Sequence, residues 1–153
     1  MIVGEALNRR SDLQKRIARL QERLRASVLV QEGDEPPESA GELLAEVGSL
    51  CDELQRLLAQ INHTNASTKL STGETVTEGL ARRDVLPLRQ GTLRAAVRAA
   101  TNDGLARYSR SEVRMVRQIR VGEIQGRLDG MSKERRELDN QLQEHNWTTS
   151  LVE

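Results

Sequence analysis

The sequence has almost no aromatic residues and a single cysteine, and each shortage excludes a class of protein. It contains no Phe, one Trp and one Tyr, so its core cannot be built on aromatic rings. One cysteine excludes an intrachain disulfide framework and any site with several thiolate ligands. No segment approaches the roughly 18 apolar residues of a transmembrane helix. The charged residues Glu5, Arg9, Arg10 and Asp12 leave no apolar core for a signal peptide, so we expect a cytoplasmic protein.

The residues that are abundant favour long helices. Ala, Glu, Lys, Leu and Arg make up 73 of the 153 residues, which is typical of coiled coils and helical bundles. Apolar residues recur at a spacing of three and four in four stretches, which predict helices over about 2–28, 39–62, 78–101 and 121–145. Ser39 and Glu42 form a capping-box signature at the start of the second helix. The predicted fold is mainly α: one elongated domain over 1–153, made of long antiparallel helices as in a bundle or coiled-coil hairpins.

Two short segments have a different pattern. Residues 68–76 predict a small β-hairpin that turns at Gly73, because short strand-like stretches flank the glycine. A lone hairpin is marginal in water, so residues 113–120 are its expected partner in a three-stranded β element. A helix is the alternative over 109–120, because Ser109 and Glu112 form another capping box.

Charge is balanced over the whole chain, with 23 residues of each sign, but it is uneven along the sequence. Residues 82–120 contain ten Arg against three acidic residues, whereas 1–60 and 121–153 are each net negative. Segments of opposite sign attract each other, within or between subunits, and an Arg cluster also suits an anion or a nucleic acid. The candidates for an anion site or an interface are Arg82, Arg83, Arg107, Tyr108, Arg110, Arg114 and Trp147. We expect Trp147 to dock against another helix hairpin, in the same subunit or in its neighbour, with Leu151 and Val152 continuing the contact in extended form.

The sequence contains no motif for catalysis or phosphate binding, and only two histidines. His63 and His145 each lie at the C-terminal end of a predicted helix, where a donor suits the exposed carbonyls. The alternative is a metal site of two histidines and one carboxylate, formed by His63, His145 and Asp84. The prediction that we carry forward has no catalytic residue, no metal and no cofactor.

Several short stretches resemble a known group of bacterial proteins. They are ALNRRSDLQKRI at 6–17, VQEGDEP at 30–36, INHTN at 61–65, LARRDVL at 80–86, RYSRSE at 107–112 and NWTT at 146–149. The whole chain resembles a family of small uncharacterised proteins commonly labelled septicolysin. This resemblance implies a helical fold and an activity that is not established. The label implies a cytolysin, but the sequence has no amphipathic membrane hairpin and no Trp-rich loop.

These observations favour a non-catalytic structural or interaction protein that self-assembles into a homo-oligomer. Narrow apolar stripes and the shortage of aromatic bulk give a monomer little core per residue, so a second copy is the expected partner. We expect no specific nucleic acid, no membrane and no small-molecule substrate. The alternatives are an anion- or nucleic-acid-binding module that uses the Arg-rich segment 82–120, or a metal-binding protein or enzyme at a His63/His145 pole.

Overall fold

The computed structural model describes residues 1–101 and 115–152, and four helices contain most of them. The helices are α1 (Val3–Ser27), α2 (Ala40–Ser67), α3 (Val76–Thr101) and α4 (Val121–Thr148). The mainly α class is therefore confirmed. The small β element is not, because no strand forms in the described part of the chain.

The segment that was predicted as a hairpin is a tight turn. The N–H of Leu70 donates to the carbonyl of Glu74 at 2.8 Å, and the N–H of Gly73 donates to the carbonyl of Leu70 at 2.9 Å. Gly73 has φ +89°, a left-handed conformation that glycine adopts without a steric penalty. Of the expected partner segment, residues 113 and 114 lie outside the described residues, and residues 115–120 form no strand.

The physical reason for this difference is a capping box immediately after the turn. Thr75 Oγ1 accepts the N–H of Glu78 at 3.2 Å, and the Glu78 carboxylate accepts the N–H of Thr75 at 2.7 Å. This reciprocal pair satisfies free donors at a helix start. Because α3 begins at Val76, too few residues remain after the turn for a second strand.

The chain divides into two compact units, which we describe separately. Unit 1 consists of Met1–Lys69 and Glu144–Glu153, and unit 2 of Leu70–Gln143. Helix α4 contributes residues to both units. The assignment of the whole chain to one elongated domain stays a prediction.

In unit 1, α1 and α2 pack against each other and run antiparallel. Two ion pairs between the helices, Arg9–Glu53 and Arg16–Glu46, show the direction, because the residue numbers rise along α1 as they fall along α2. A third pair, Arg23–Glu38, joins α1 to the segment just before α2. Exposed pairs of this kind contribute little stability but fix which residues face each other. The buried core residues repeat at seven-residue intervals on each helix, and they are Ala6, Leu13 and Leu20 with Leu43, Leu50, Leu57 and nearby Ile61.

The C-terminal segment completes unit 1 by pairing with the start of the chain. The N–H of Val3 donates to the carbonyl of Thr149, and the N–H of Leu151 donates to the carbonyl of Met1, both at 2.9 Å. The side chain of Leu151 packs against the core of unit 1. The backbone approaches closely at Gly4, where a Cβ would lie 3.0 Å from the carbonyl oxygen of Asn146.

In unit 2, α3 and α4 enclose a smaller apolar core. Its buried residues are Leu70, Val76, Leu86, Leu138 and Leu142. Gly79 is buried beside this core, and a Cβ at that position would lie 2.5 Å from a methyl group of Leu70. The Gln90 side chain, 3% exposed, donates to the hydroxyl of Ser132 at 3.2 Å. These contacts cover one side of α3 and leave its opposite side exposed.

Candidate interaction surface

The three residues of the candidate metal site have different surroundings. His63 lies inside α2, because the helix continues to Ser67, beyond the predicted end. Its side chain is exposed. Asp84 is exposed and pairs with the adjacent Arg83 at 3.2 Å. His145 is buried. Residues 1–101 and 115–152 contain no group of three or more His, Cys, Asp or Glu side chains that could hold a metal ion.

His145 joins the end of α4 to the end of α2 within unit 1. Its Nε2 lies 3.0 Å from Oδ1 of Asn65, and its Nδ1 has no hydrogen-bond partner in the described part of the chain. Burial lowers the pKa of His145, since the charged ring would lose its hydration. The neutral imidazole therefore acts as a link between two helix ends.

Arg82 is held by carboxylates of its own unit. Its guanidinium donates to Glu134 at 2.8 Å and also to Glu74. Burial by itself lowers the pKa of Arg82, but its hydrogen bonds to Glu134 and Glu74 outweigh this effect and raise the pKa. With two acidic partners, Arg82 connects α3 to α4 and to the turn before α3. Its charge is already neutralised.

The remaining sequence candidates lie apart from these groups. Arg107, Tyr108, Arg110 and Arg114 are outside the described residues. The Trp147 side chain is 62% exposed, so it does not dock within the subunit, and its docking against a second copy stays a prediction.

The docking at this end of unit 1 is made by Leu151, while Trp147 touches only the edge of α1. The ring atom Cε3 of Trp147 lies 3.5 Å from the position of a Cβ on Gly4. The exposed tryptophan follows from its place in α4, which extends to Thr148 and turns this side chain away from the core.

Six residues of α3 form a continuous row on its exposed side. We call them the outer face of α3: Ala81, Val85, Leu88, Thr92, Ala95 and Ala99. All six are exposed, and the exposed fractions of Val85 and Leu88 are 42% and 70%. The Thr92 hydroxyl donates to the carbonyl of Leu88, which satisfies it within the helix. The spacing of four and three residues is the one that a packed partner helix requires.

A cavity and three arginines border the outer face. The cavity has a volume of about 360 Å³ and is open to solvent, and its lining is Ala81, Arg82, Val85, Leu86 and Arg89. Residues 82, 85, 86 and 89 have the i, i+3, i+4, i+7 spacing that accepts a side chain from a neighbouring helix. Arg89 and Arg98 lie on the two edges of the outer face, and Arg94 lies one turn before Arg98. Within the described ranges, none of these three arginines forms an ion pair.

Sequence reasoning missed the outer face, although its spacing is visible in the sequence. Proline commonly kinks or breaks a helix, so Pro87 argues against a row that continues past it. The structure has one continuous α3 that contains Pro87. None of the helices in the described part is long and apolar enough to cross a membrane.

Comparison with other proteins corrects the family. The chain is similar to a functionally unknown conserved protein from Corynebacterium diphtheriae of known crystal structure, with 36% sequence identity, 99% of each chain covered and a TM-score of 0.78. No curated protein matches. The septicolysin label accompanies neither this neighbour nor the matching family model, so the resemblance to that group was wrong. A model described as "Family of unknown function (DUF6847)" matches residues 10–151, and the chain therefore belongs to that family.

Proposed function

We propose that this chain is a non-catalytic interaction protein that self-assembles through the outer face of α3. The observation that carries the proposal is the exposure of Val85 and Leu88 in a row with helical spacing, on the side of α3 opposite its own core. A surface helix normally presents polar residues to water on that side. An exposed row of apolar residues bordered by charges is typical of a protein interface.

A second copy of the chain suits this surface in charge and in size. Asp84 is exposed beside the outer face, so a second copy of the same surface offers a carboxylate to an arginine of its partner. Most residues of the outer face are small, so two such helices can approach closely. Homo-oligomers with two-fold symmetry are the commonest assemblies, and they need only one self-complementary surface.

The test is the mass of the assembly for two matched variants. Leu88→Arg places a charge in the middle of the outer face, and Leu44→Arg makes the same change at an exposed leucine of α2 in unit 1. Light scattering should give more than 17.1 kDa for the unchanged chain and for Leu44→Arg, and 17.1 kDa for Leu88→Arg. A 17.1 kDa species for the unchanged chain at about 100 μM, or no effect of Leu88→Arg, would contradict the proposal.

A second candidate function is the binding of a polyanion along α3. The observation that favours it is the set of arginines without ion pairs in the described residues, Arg89, Arg94 and Arg98. Protein binding releases the counterions that are condensed on a polyanion, so the affinity falls steeply as the salt concentration rises. Tight binding of a labelled oligonucleotide at about 150 mM salt, lost in the Arg94→Ala/Arg98→Ala variant, would favour this function over self-assembly.

We further propose a cytoplasmic location. The single cysteine, Cys51, has an exposed side chain, and an unpaired exposed thiol suits a reducing compartment. Fractionation of cells that make the protein tests this, and recovery outside the cytoplasm would contradict it.

A further inference from the structure

We propose that α3 pairs with α3 of a second copy in antiparallel orientation, with the two-fold axis close to Gly91. The proposal rests on the self-assembly proposed above and specifies which element of the second copy covers the outer face. Three features carry it: the order of large and small residues along the outer face, the placement of Asp84 and Arg98, and the open backbone at Gly91.

The order of residue sizes favours the antiparallel arrangement. When Leu88 faces Thr92 of the second copy, Val85 faces Ala95 of that copy, and Ala81 faces Ala99. The two larger side chains, Leu88 and Val85, then each meet a smaller one, so no pair of large residues forces the helices apart. In a parallel pair, Leu88 would face Leu88 and Ala95 would face Ala95, which separates the helices at one end and brings them together at the other. Close packing at interfaces disfavours such a wedge.

The charges beside the outer face fit the same register. Asp84 and Arg98 are fourteen residues apart, so they lie on the same edge of the helix. In the antiparallel pair, Asp84 of each copy lies next to Arg98 of the other, which makes two ion pairs by symmetry. The opposed helix dipoles also favour this orientation. In a parallel pair, Asp84 would instead lie next to Arg89 of the second copy, so the two orientations differ in a charge pair that can be exchanged.

Gly91 lies on the Asp84 edge at the centre of this register. A Cβ built on Gly91 has no described atom within 4 Å, so its backbone is open. At the axis the two Gly91 residues come closest to each other, and the absence of side chains allows a short distance between the helices. On the other edge the two Arg89 side chains face each other, which opposes pairing, so Arg89→Gln should lower the dissociation constant of the dimer.

Charge exchange distinguishes the two orientations. We compare Asp84→Arg with two double variants, Asp84→Arg/Arg98→Asp and Asp84→Arg/Arg89→Asp, by sedimentation over a series of concentrations. The single variant places like charges together in either orientation and should raise the dissociation constant about tenfold or more. The first double variant should restore it to within about threefold, and the second should not.

The outcomes test the orientation of the two α3 helices separately from the use of the outer face as the interface. Recovery in the Arg89→Asp double variant would overturn the antiparallel register in favour of a parallel pair. Recovery in neither double variant would overturn pairing of α3 with α3, even if Leu88→Arg still dissociates the assembly. An unchanged assembly in Leu88→Arg would instead remove the proposed function itself. The side chains of Asp84, Leu88, Arg89 and Arg98 are all exposed, so their substitution leaves the core of unit 2 unchanged. Circular dichroism checks that each variant keeps its helices.

Discussion

Thr64→Val is the change that best tests how the C-terminal segment is held in unit 1. The Thr64 side chain is fully buried, and its Oγ1 accepts the N–H of Val152 at 3.0 Å. The same hydroxyl donates to the carbonyl of Gln60 at 2.7 Å. Valine keeps the branched shape but replaces the hydroxyl with a methyl group. The substitution therefore removes both hydrogen bonds and leaves the packing nearly unchanged.

The expected cost comes mainly from one of these two bonds. The carbonyl of Gln60 lies inside α2, where the helix supplies its own backbone donor. The N–H of Val152 loses its acceptor in the described structure. An unsatisfied buried donor costs about 1–3 kcal/mol. Val152 is 40% exposed, so water reaches this region and the lower part of that range applies. We expect the free energy of unfolding to fall by about 1–2 kcal/mol.

Thr148→Val is the matched control. The hydroxyl of Thr148 also donates to the carbonyl four residues earlier, that of Glu144, at 2.7 Å. Its side chain is exposed, and in the described structure it accepts no bond from another segment, so the cost should stay below about 0.5 kcal/mol. Urea unfolding followed by circular dichroism measures both variants, because Trp147 is too exposed for its emission to report unfolding.

Hydrogen exchange at the amide of Val152 provides a second, local readout. Exchange should become faster in Thr64→Val and remain unchanged in Thr148→Val, because only the first variant removes the acceptor of that N–H. Equal destabilisation by the two substitutions, or unchanged exchange at Val152 in both, would refute the reasoning.

Three further predictions concern single sites. Trp147 is 62% exposed, so its emission in the native protein should resemble that of tryptophan in water; a strongly blue-shifted spectrum would contradict this. Burial lowers the pKa of His145, so the unfolded chain takes up a proton first as the pH falls. The free energy of unfolding should therefore decrease below about pH 6.5, and titrations should show this loss in His63→Gln but not in His145→Gln. Gly126→Ala adds a Cβ in open space and should stabilise α4 by about 1 kcal/mol in thermal unfolding. Gly79→Ala should be about 1–3 kcal/mol less stable than Gly126→Ala, because its Cβ meets a methyl group at 2.5 Å. Equal stabilities of the two variants would contradict this prediction.

The helices could be predicted from the sequence because their signals are local. The spacing of apolar residues follows the helical period, and Ser39 accepts the N–H of Glu42 at 3.3 Å, as the capping-box signature indicates. The hairpin prediction failed through a competing local signal. Thr75 and Glu78 have the spacing of a capping box, and the helix that they start uses the residues needed for a strand.

Burial was harder to predict because it depends on contacts between distant segments. Cys51 shares the helical spacing of the apolar residues of α2, a pattern that favours burial, yet its side chain is exposed. Leu88 shows the same difference, because a leucine at helical spacing is normally assigned to the core, yet Leu88 is exposed. Which row of α3 is buried depends on α4, and nothing in the sequence of α3 alone decides it.

Unit 1 is built from two segments that are far apart in the sequence, and this determines the order in which the chain can fold. Its first part, Met1–Lys69, is separated from its last part, Glu144–Glu153, by the whole of unit 2. At synthesis rates of about 5–20 residues per second, the intervening segment takes several seconds to emerge. During this time α1 and α2 can pair, but Met1 and Val3 lack their backbone partners in the C-terminal segment.

The completion of unit 1 is therefore a late step that closes a long loop. The entropy cost of that closure rises only slowly with loop length, so the few contacts of Leu151 and Thr149 suffice to hold the closed form once the helices are in place. A substitution among the last residues would therefore affect the unit that contains α1 and α2, the first helices to be synthesised. Its effect would be slower or incomplete folding of the newly made chain.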